Sequence, residues 1–100
     1  MFVLKFFTRK PAAVAWRASQ PVPNTNKTLN QWTRLQPGVL AVRSRKPTKN
    51  RVVTIIKCAN EAAADAYLAA LATNVEHHAR QEYRAANGIT HTLVKWERIS

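Results

Sequence analysis

Residues 39–58 read VLAVRSRKPTKNRVVTIIKC, two apolar segments on either side of a strongly basic centre. Valine and isoleucine in both flanks are typical of β-strands, and the central KPTKN has the composition of a turn. The stretch therefore predicts a β-hairpin with strands at 39–42 and 52–58 and a loop over about 44–50. Its second strand has apolar residues on both faces, which indicates a central strand or a sheet covered on both sides.

A second strand of this kind is predicted at residues 1–8, MFVLKFFT, where apolar side chains again occupy both faces. The following Arg9-Lys10-Pro11 ends it, because proline cannot donate a hydrogen bond to the ladder. Residues 12–23 then predict an ordered crossover loop that Val14 and Trp16 pin to the body of the protein. A last strand is predicted at 89–99.

Two helices are predicted between these strands. Asn24 or Thr25 can cap a short helix that runs to about Leu35, before Gln36-Pro37-Gly38 stops it. Asn60 caps a long helix that ends at Asn87-Gly88. A helix of about 27 residues would span ~40 Å, which is longer than the strands it covers. Either a break near Thr73-Asn74 or an overhanging end resolves this mismatch.

The resulting order is β-α-β-β-α-β, which predicts a single α+β domain over residues 1–100 with a ferredoxin-like fold. Its four-stranded antiparallel sheet has the spatial order 4-1-3-2, so the first and third strands are central, and these are the two most apolar strands. The face of the sheet away from the helices is also apolar. We therefore expect it to dock a second sheet, as in dimeric α+β barrels, or to pack on another chain.

The charge of the chain is strongly asymmetric. Sixteen Lys and Arg face five acids, for a net charge of +11, and all five acids follow residue 60. The basic half, residues 1–60, contrasts with a near-neutral half, residues 61–100. Such asymmetry predicts an anionic partner, most often nucleic acid; a basic face that only aids solubility is the alternative.

The predicted nucleic-acid contacts are the basic residues of the hairpin, extended by those of the crossover and first helix: Arg43, Arg45, Lys46, Lys49, Arg51, Arg9, Lys10 and Arg34. Such side chains bind phosphate oxygens and give affinity rather than sequence specificity. The chain departs from the RNA-recognition motif, because its third strand, RVVTIIKC, lacks the aromatic residues that stack on bases. RNA and DNA are not distinguished.

No catalytic residue, metal site or cofactor is predicted, and the chain is expected not to be an enzyme. His77 and His78 point about 100° apart on a helix and cannot share a metal. His78 and Glu82 share one face of the helix and could both bind a metal ion, but His91 is the only candidate for a third ligand. Cys58 is interpreted as a small buried residue, with a reactive thiolate at the Asn60 helix start as the alternative. Two glycines exclude a glycine-rich phosphate loop.

The single cysteine excludes an internal disulfide, and no apolar run reaches the ~18 residues of a membrane helix, so no membrane association is expected. The localisation is open: a reducing intracellular compartment or a virion fits. The acid-free first 20 residues also leave a mitochondrial origin open.

Three functional hypotheses follow. The first is a non-catalytic basic protein that contacts nucleic-acid phosphates inside a larger, ribonucleoprotein-like assembly. The second is a structural component of a virion or phage particle that oligomerises through its sheet face. The third is a small dimeric α+β barrel enzyme, which a closed pocket between sheet and helices would support if His78, His91 or Trp96 lined it.

Overall fold

The computed structural model describes residues 1–16 and 25–99. Its elements are β1 (Phe2–Arg9), α1 (Thr25–Arg34), β2 (Val39–Thr48), β3 (Arg51–Cys58), α2 (Glu61–Leu71), α3 (Val75–Ala86) and β4 (Thr90–Glu97). The predicted cap at Asn24 and the end of the predicted crossover loop lie outside the described residues. The α+β ferredoxin-like fold predicted from the order of elements is confirmed.

The four strands form one antiparallel sheet in the order β2-β3-β1-β4. Leu4 in β1 lies opposite Ile56 of β3 on one side and Lys95 of β4 on the other. The prediction that the first and third strands are central is confirmed. Strands that are buried on both faces require apolar residues at successive positions, which explains why these two have lost the usual alternation.

The hairpin is tighter than predicted. Strand β2 continues to Thr48, and the turn consists of Lys49 and Asn50 alone. A register shift between Arg45 and Thr48 accommodates Pro47, which an edge strand tolerates because one side of its ladder is unpaired. The prediction of a loop beginning near Ser44 is therefore wrong, and most of the basic centre lies on a strand.

The predicted long helix is divided into α2 and α3, which resolves the mismatch with the strands through the break rather than the overhang. The side chain of Asn60 accepts a hydrogen bond from the Ala63 amide (2.8 Å) and caps α2. Asn74 caps α3 in the same way through the His77 amide (3.0 Å). A second capping asparagine inside the apolar pattern supplies the partner that a new helix start requires.

The core lies between the helices and one face of the sheet. Leu4 and Cys58 are completely buried there, together with Phe2, Phe6 and Ile56 of the central strands. The helices contribute Ala64, Tyr67 and Leu71. The interpretation of Cys58 as a small buried residue is confirmed, and burial raises the pKa of its thiol, which works against a reactive thiolate.

The opposite face of the sheet carries Val3 and Val53 on its central strands, where they are 2% and 8% exposed, and larger exposed residues around them. Phe7, Val94 and Trp96 lie on it and are 39%, 44% and 39% exposed. The strand registers place Lys5 and Lys57 among these apolar residues. We call this surface the open face. Within the described residues, no helix is long and apolar enough to cross a membrane.

Candidate functional site

A cavity of about 370 Å³ lies between the sheet and the helices. Its sheet side is formed by residues of β1, β2, β3 and β4, and its other walls come from α1, α2, α3 and Trp16. Its lining includes Phe6, Leu29, Ile56, Tyr67 and Leu71, whose side chains are apolar or aromatic. This part of the lining is suited to an apolar or aromatic group.

The hydroxyl of Tyr67 is fixed in this lining. The Thr33 hydroxyl donates a hydrogen bond to the Leu29 carbonyl (2.9 Å), so its oxygen accepts the hydroxyl hydrogen of Tyr67 (3.3 Å). Burial raises the pKa of Tyr67, because the phenolate would lose its hydration. The side chain is therefore a neutral phenol that serves as an oriented wall.

His91 is held on the sheet side of the cavity by two contacts. Its ring stacks on Phe6 with 5.0 Å between centroids, and its Nδ1 atom hydrogen-bonds the Thr8 hydroxyl at 2.8 Å. The pKa of His91 is lowered to about 3, mainly by burial and to a smaller extent by the nearby Arg84, His77 and Arg80. The ring is neutral at pH 7, and Thr8 engages its Nδ1 rather than its Nε2.

His77 enters the same cavity from the first turn of α3. Its side chain is buried, and burial lowers its pKa to about 4, with further contributions from Arg84, His78 and Arg80. Protonation of a buried imidazole beside guanidinium groups is unfavourable, because the charged ring loses hydration and is repelled by like charges. Two neutral histidines therefore face the cavity from opposite layers of the domain.

Arg84 lines the cavity together with His77 and His91. Its guanidinium is largely buried, and its Nη1 atom has no hydrogen-bond partner among the described residues. Burial lowers the pKa of Arg84 to about 10, with a further contribution from Arg80, so the group remains charged at pH 7. We call His77, Arg80, Arg84 and His91 the basic cluster; all four line the cavity.

Residues 11–16, which we call the strap, contribute Trp16 to the lining of the cavity. The indole Nε1 of Trp16 donates to the Lys49 carbonyl (2.8 Å), and the Tyr83 hydroxyl donates to the Ala15 carbonyl (2.7 Å). The strap thereby joins the hairpin to α3. Two ammonium groups also approach the indole ring, Lys10 at 5.6 Å and Lys46 at 5.7 Å. The prediction that Trp16 pins the crossover to the body is confirmed.

The eight residues predicted to contact nucleic acid have different surroundings in the structure. Arg45 and Lys46 line the cavity, while Lys10 is buried and bonds the Asn50 side chain at 3.1 Å. Arg34 reaches the Val42 carbonyl at 3.4 Å. Arg43, Lys49, Arg9 and Arg51 are exposed, and the last two face each other across the β1–β3 register.

Of the three residues predicted for an enzyme pocket, only His91 lines the cavity. His78 is exposed and bonds the Ala72 carbonyl at the end of α2 (2.5 Å), and Trp96 lies on the open face. His77 and Arg84 were missed. The detectable signal was their spacing with Arg80, since positions i, i+3 and i+7 share one helix face. Within the described residues, no three His, Cys, Asp or Glu side chains converge as a metal site would require.

Comparison with known proteins gives structural likeness only. No protein-family model matches the chain, and no curated protein matches it in sequence. A Deinococcus radiodurans protein proposed to be an antibiotic biosynthesis monooxygenase superposes with a TM-score of 0.75 at 14% identity, over 100% of this chain and 94% of that chain. A second antibiotic biosynthesis monooxygenase gives 0.65 at 17% identity, over 98% and 99% of the two chains.

A variant of SnoaB, a cofactor-independent oxygenase from Streptomyces nogalater, gives a TM-score of 0.63 at 14% identity, over 98% of this chain and 94% of that chain. At this identity the likeness shows the fold. It contradicts the first hypothesis, so the prediction of a non-catalytic nucleic-acid-binding protein is wrong, as is the expectation that the chain is not an enzyme. The virion hypothesis gains no support. The enzyme hypothesis fits both the fold and the cavity.

Proposed function

We propose that the protein is a small α+β barrel enzyme that oxygenates a flat aromatic substrate inside the cavity between its sheet and helices. The observation that carries this proposal is the cavity itself. It lies between the sheet and the helices of a fold whose structural neighbours include proteins described as oxygenases.

The cavity supports this proposal by its size and lining. At about 370 Å³ it lies near the lower end of the range of ~300–1,000 Å³ that small-molecule sites occupy. Phe6, Trp16 and Tyr67 offer aromatic surface to a ring. The same apolar interior admits molecular oxygen, which needs no polar partner.

The chemistry follows from electron balance. SnoaB is described as a cofactor-independent oxygenase, and such an enzyme takes all four electrons from its substrate. A methylene group between two aromatic rings supplies them: CH₂ becomes C=O, one oxygen atom enters the product, and the other leaves as water with the two hydrogens. The reaction begins when the methylene loses a proton, and a neutral imidazole is suited to receive it.

We assign His91 as the general base that accepts the proton from the methylene group. Thr8 and Phe6 fix its ring, and Nε2 is the nitrogen not engaged by Thr8. Its low pKa makes it a weak base in the empty cavity. A substrate anion formed beside it would raise that pKa again, because opposite charges favour the protonated ring.

The test is oxygen consumption with polycyclic phenols that carry a methylene between two rings. We expect uptake of one O₂ for each molecule of ketone formed, with one ¹⁸O atom from labelled O₂ in the ketone. His91→Phe keeps a ring on Phe6 but removes the base, so kcat should fall at least tenfold, as is usual for loss of a general base. The matched control is His78→Phe, which alters an exposed histidine outside the cavity. Absence of enzyme-dependent uptake across the series, or full activity of His91→Phe, contradicts the proposal.

We further propose that a second copy of the chain covers the open face. This proposal is supported by the exposed residues Phe7, Val94 and Trp96, since contiguous apolar surface is typical of protein interfaces. Two copies would also bring together Lys5 and Lys57 with the same residues of the partner. The dimer should therefore be stronger at 500 mM than at 50 mM NaCl, because salt screens like charges.

Sedimentation equilibrium at both salt concentrations tests this arrangement. Trp96→Asp should convert the dimer to monomer. Val75→Asp, which changes an exposed residue on α3 in the same way, should leave the dimer intact. A monomer at both salt concentrations, or a dimer that Trp96→Asp does not affect, would contradict it.

A further inference from the structure

We infer that the substrate carries an anionic oxygen group, a carboxylate or an ionised phenol, and that this group is bound by Arg84. The inference rests on the proposed function, because it concerns the molecule that the cavity holds. It adds the charge of that molecule and the residue that orients it.

The first support is the state of Arg84. A guanidinium has five N–H donors and is buried only at a high free-energy cost unless acceptors satisfy them. In this chain Nη1 is buried without an acceptor among the described residues. Arg84 also lines the cavity. An acceptor that arrives with a ligand would satisfy the donor and neutralise the charge.

The second support is the composition of the lining. Three cationic side chains face the cavity, Arg80 and Arg84 from α3 and Lys46 from β2, and no described lining residue is a carboxylate. The contributions from β1, β3, α1, α2 and the strap are uncharged. Like charges concentrated around a low-dielectric space attract an anion and repel a cation.

The third support is the pair of histidines. His77 from α3 and His91 from β4 are neutral, so they add no further repulsion and can donate or accept hydrogen bonds at the same ligand group. His77, His91 and Arg84 thus form a polar group in the wall of the cavity. The ring of the ligand would lie against Phe6 and the other aromatic walls.

The geometry of the group favours a planar oxyanion. A guanidinium pairs with a carboxylate through parallel hydrogen bonds and meets a phenolate through one or two. Both ligand types share an anionic oxygen attached to an aromatic system. A ligand of this class is also compatible with the proposed oxidation, since an ionised phenol makes a neighbouring ring more electron-rich.

The test measures binding of naphthalene probes by titration calorimetry at pH 7.5 and 150 mM NaCl. We expect 2-naphthoate, an anion, to bind at least tenfold more tightly than 2-naphthamide, its neutral counterpart of the same shape. An acidic nitronaphthol, ionised at this pH, distinguishes phenolate from carboxylate: preference for either anion over the amide supports the inference and identifies the group.

The variant Arg84→Met keeps an apolar stem and removes the charge. It should abolish the tenfold preference, because 2-naphthoate loses much more affinity than 2-naphthamide. Arg98→Met is the matched control, because it removes one charge from an exposed residue outside the cavity; it should retain the preference, which separates local pairing from the net charge of the protein.

The outcomes separate the two proposals. Equal binding of 2-naphthoate and 2-naphthamide overturns the anion inference and leaves the cavity as a site for neutral aromatic molecules. A clear anion preference without oxygen uptake overturns the oxygenase proposal alone. If Arg84→Met retains the preference, Arg84 is not the binding group, and if no probe binds, both proposals are wrong.

Discussion

Lowering the pH from 7 to 5 is expected to reduce the free energy of unfolding by on the order of 3 kcal/mol. In the folded protein the pKa of His91 is lowered to about 3 and that of His77 to about 4, whereas both are near 6.5 in the unfolded chain. Below pH 6.5 the unfolded state therefore binds protons that the folded state does not. The contribution is complete above pH 6.5 and is lost as the pH falls toward 4.

Urea unfolding at a series of pH values measures this loss. His77→Gln and His91→Gln should each remove about half of the pH dependence, and His78→Gln, at an exposed position, should not change it. The ion pair of Met1 with Glu97, at 3.8 Å and at the surface, contributes little to this change. A stability that does not change between pH 7 and 5 would show that the two histidines are charged in the folded protein.

Gly38→Ala is expected to destabilise the fold by about 3 kcal/mol. Gly38 lies between α1 and β2 with φ of +80°, a conformation that costs an alanine ~1–2 kcal/mol. A Cβ atom at this position would also lie 2.5 Å from the Ala63 Cβ of α2. Because backbone must move to relieve that overlap, the cost of overpacking, ~1–3 kcal/mol, adds to the strain. Urea or thermal unfolding gives the value.

Gly88→Ala is the control for strain without overlap. Gly88 has φ of +67°, but an added Cβ meets only the Pro11 side chain at 3.9 Å, so about 1 kcal/mol is expected. Combining Gly38→Ala with Ala63→Gly removes the overlap and should recover part of the loss, beyond the sum of the single effects. If Gly38→Ala and Gly88→Ala cost the same, the close packing of the α1–β2 connection on α2 is refuted.

The sheet could be predicted from sequence because its evidence is local. The apolar residues of 2–9 and 51–58 occupy both faces, and that pattern has few explanations other than central strands. The start of α2 could also be predicted from local sequence, because Asn60 is a typical helix-capping residue. The sequence could not decide between a break at Asn74 and one long helix with an overhanging end. An asparagine inside an apolar repeat can cap a new helix, but whether it does depends on how the helix packs on the sheet.

The site could not be predicted, because its parts are brought together by tertiary structure. Thr8 and His91 lie 83 positions apart in sequence and form one hydrogen bond. The pKa values of His77 and His91 are set by burial, which a sequence does not display. The five charges of the hairpin were conspicuous but misleading, since a strand directs alternate side chains to opposite faces whereas a flexible loop could have gathered them on one surface.

The central position of β1 has a consequence for how the chain folds. This strand must pair with β3, about 50 residues later, and with β4, about 90 residues later. The β2–β3 hairpin has a two-residue turn and local contacts, so it can form early. Strand β1 cannot pair until its partners β3 and β4 have been synthesised. We expect the domain to fold slowly for its size, and the strand that carries His91 to be the last to join the sheet. The newly made chain therefore has no finished cavity until its final strand is available, so the potential to bind a ligand arises only at the end of folding.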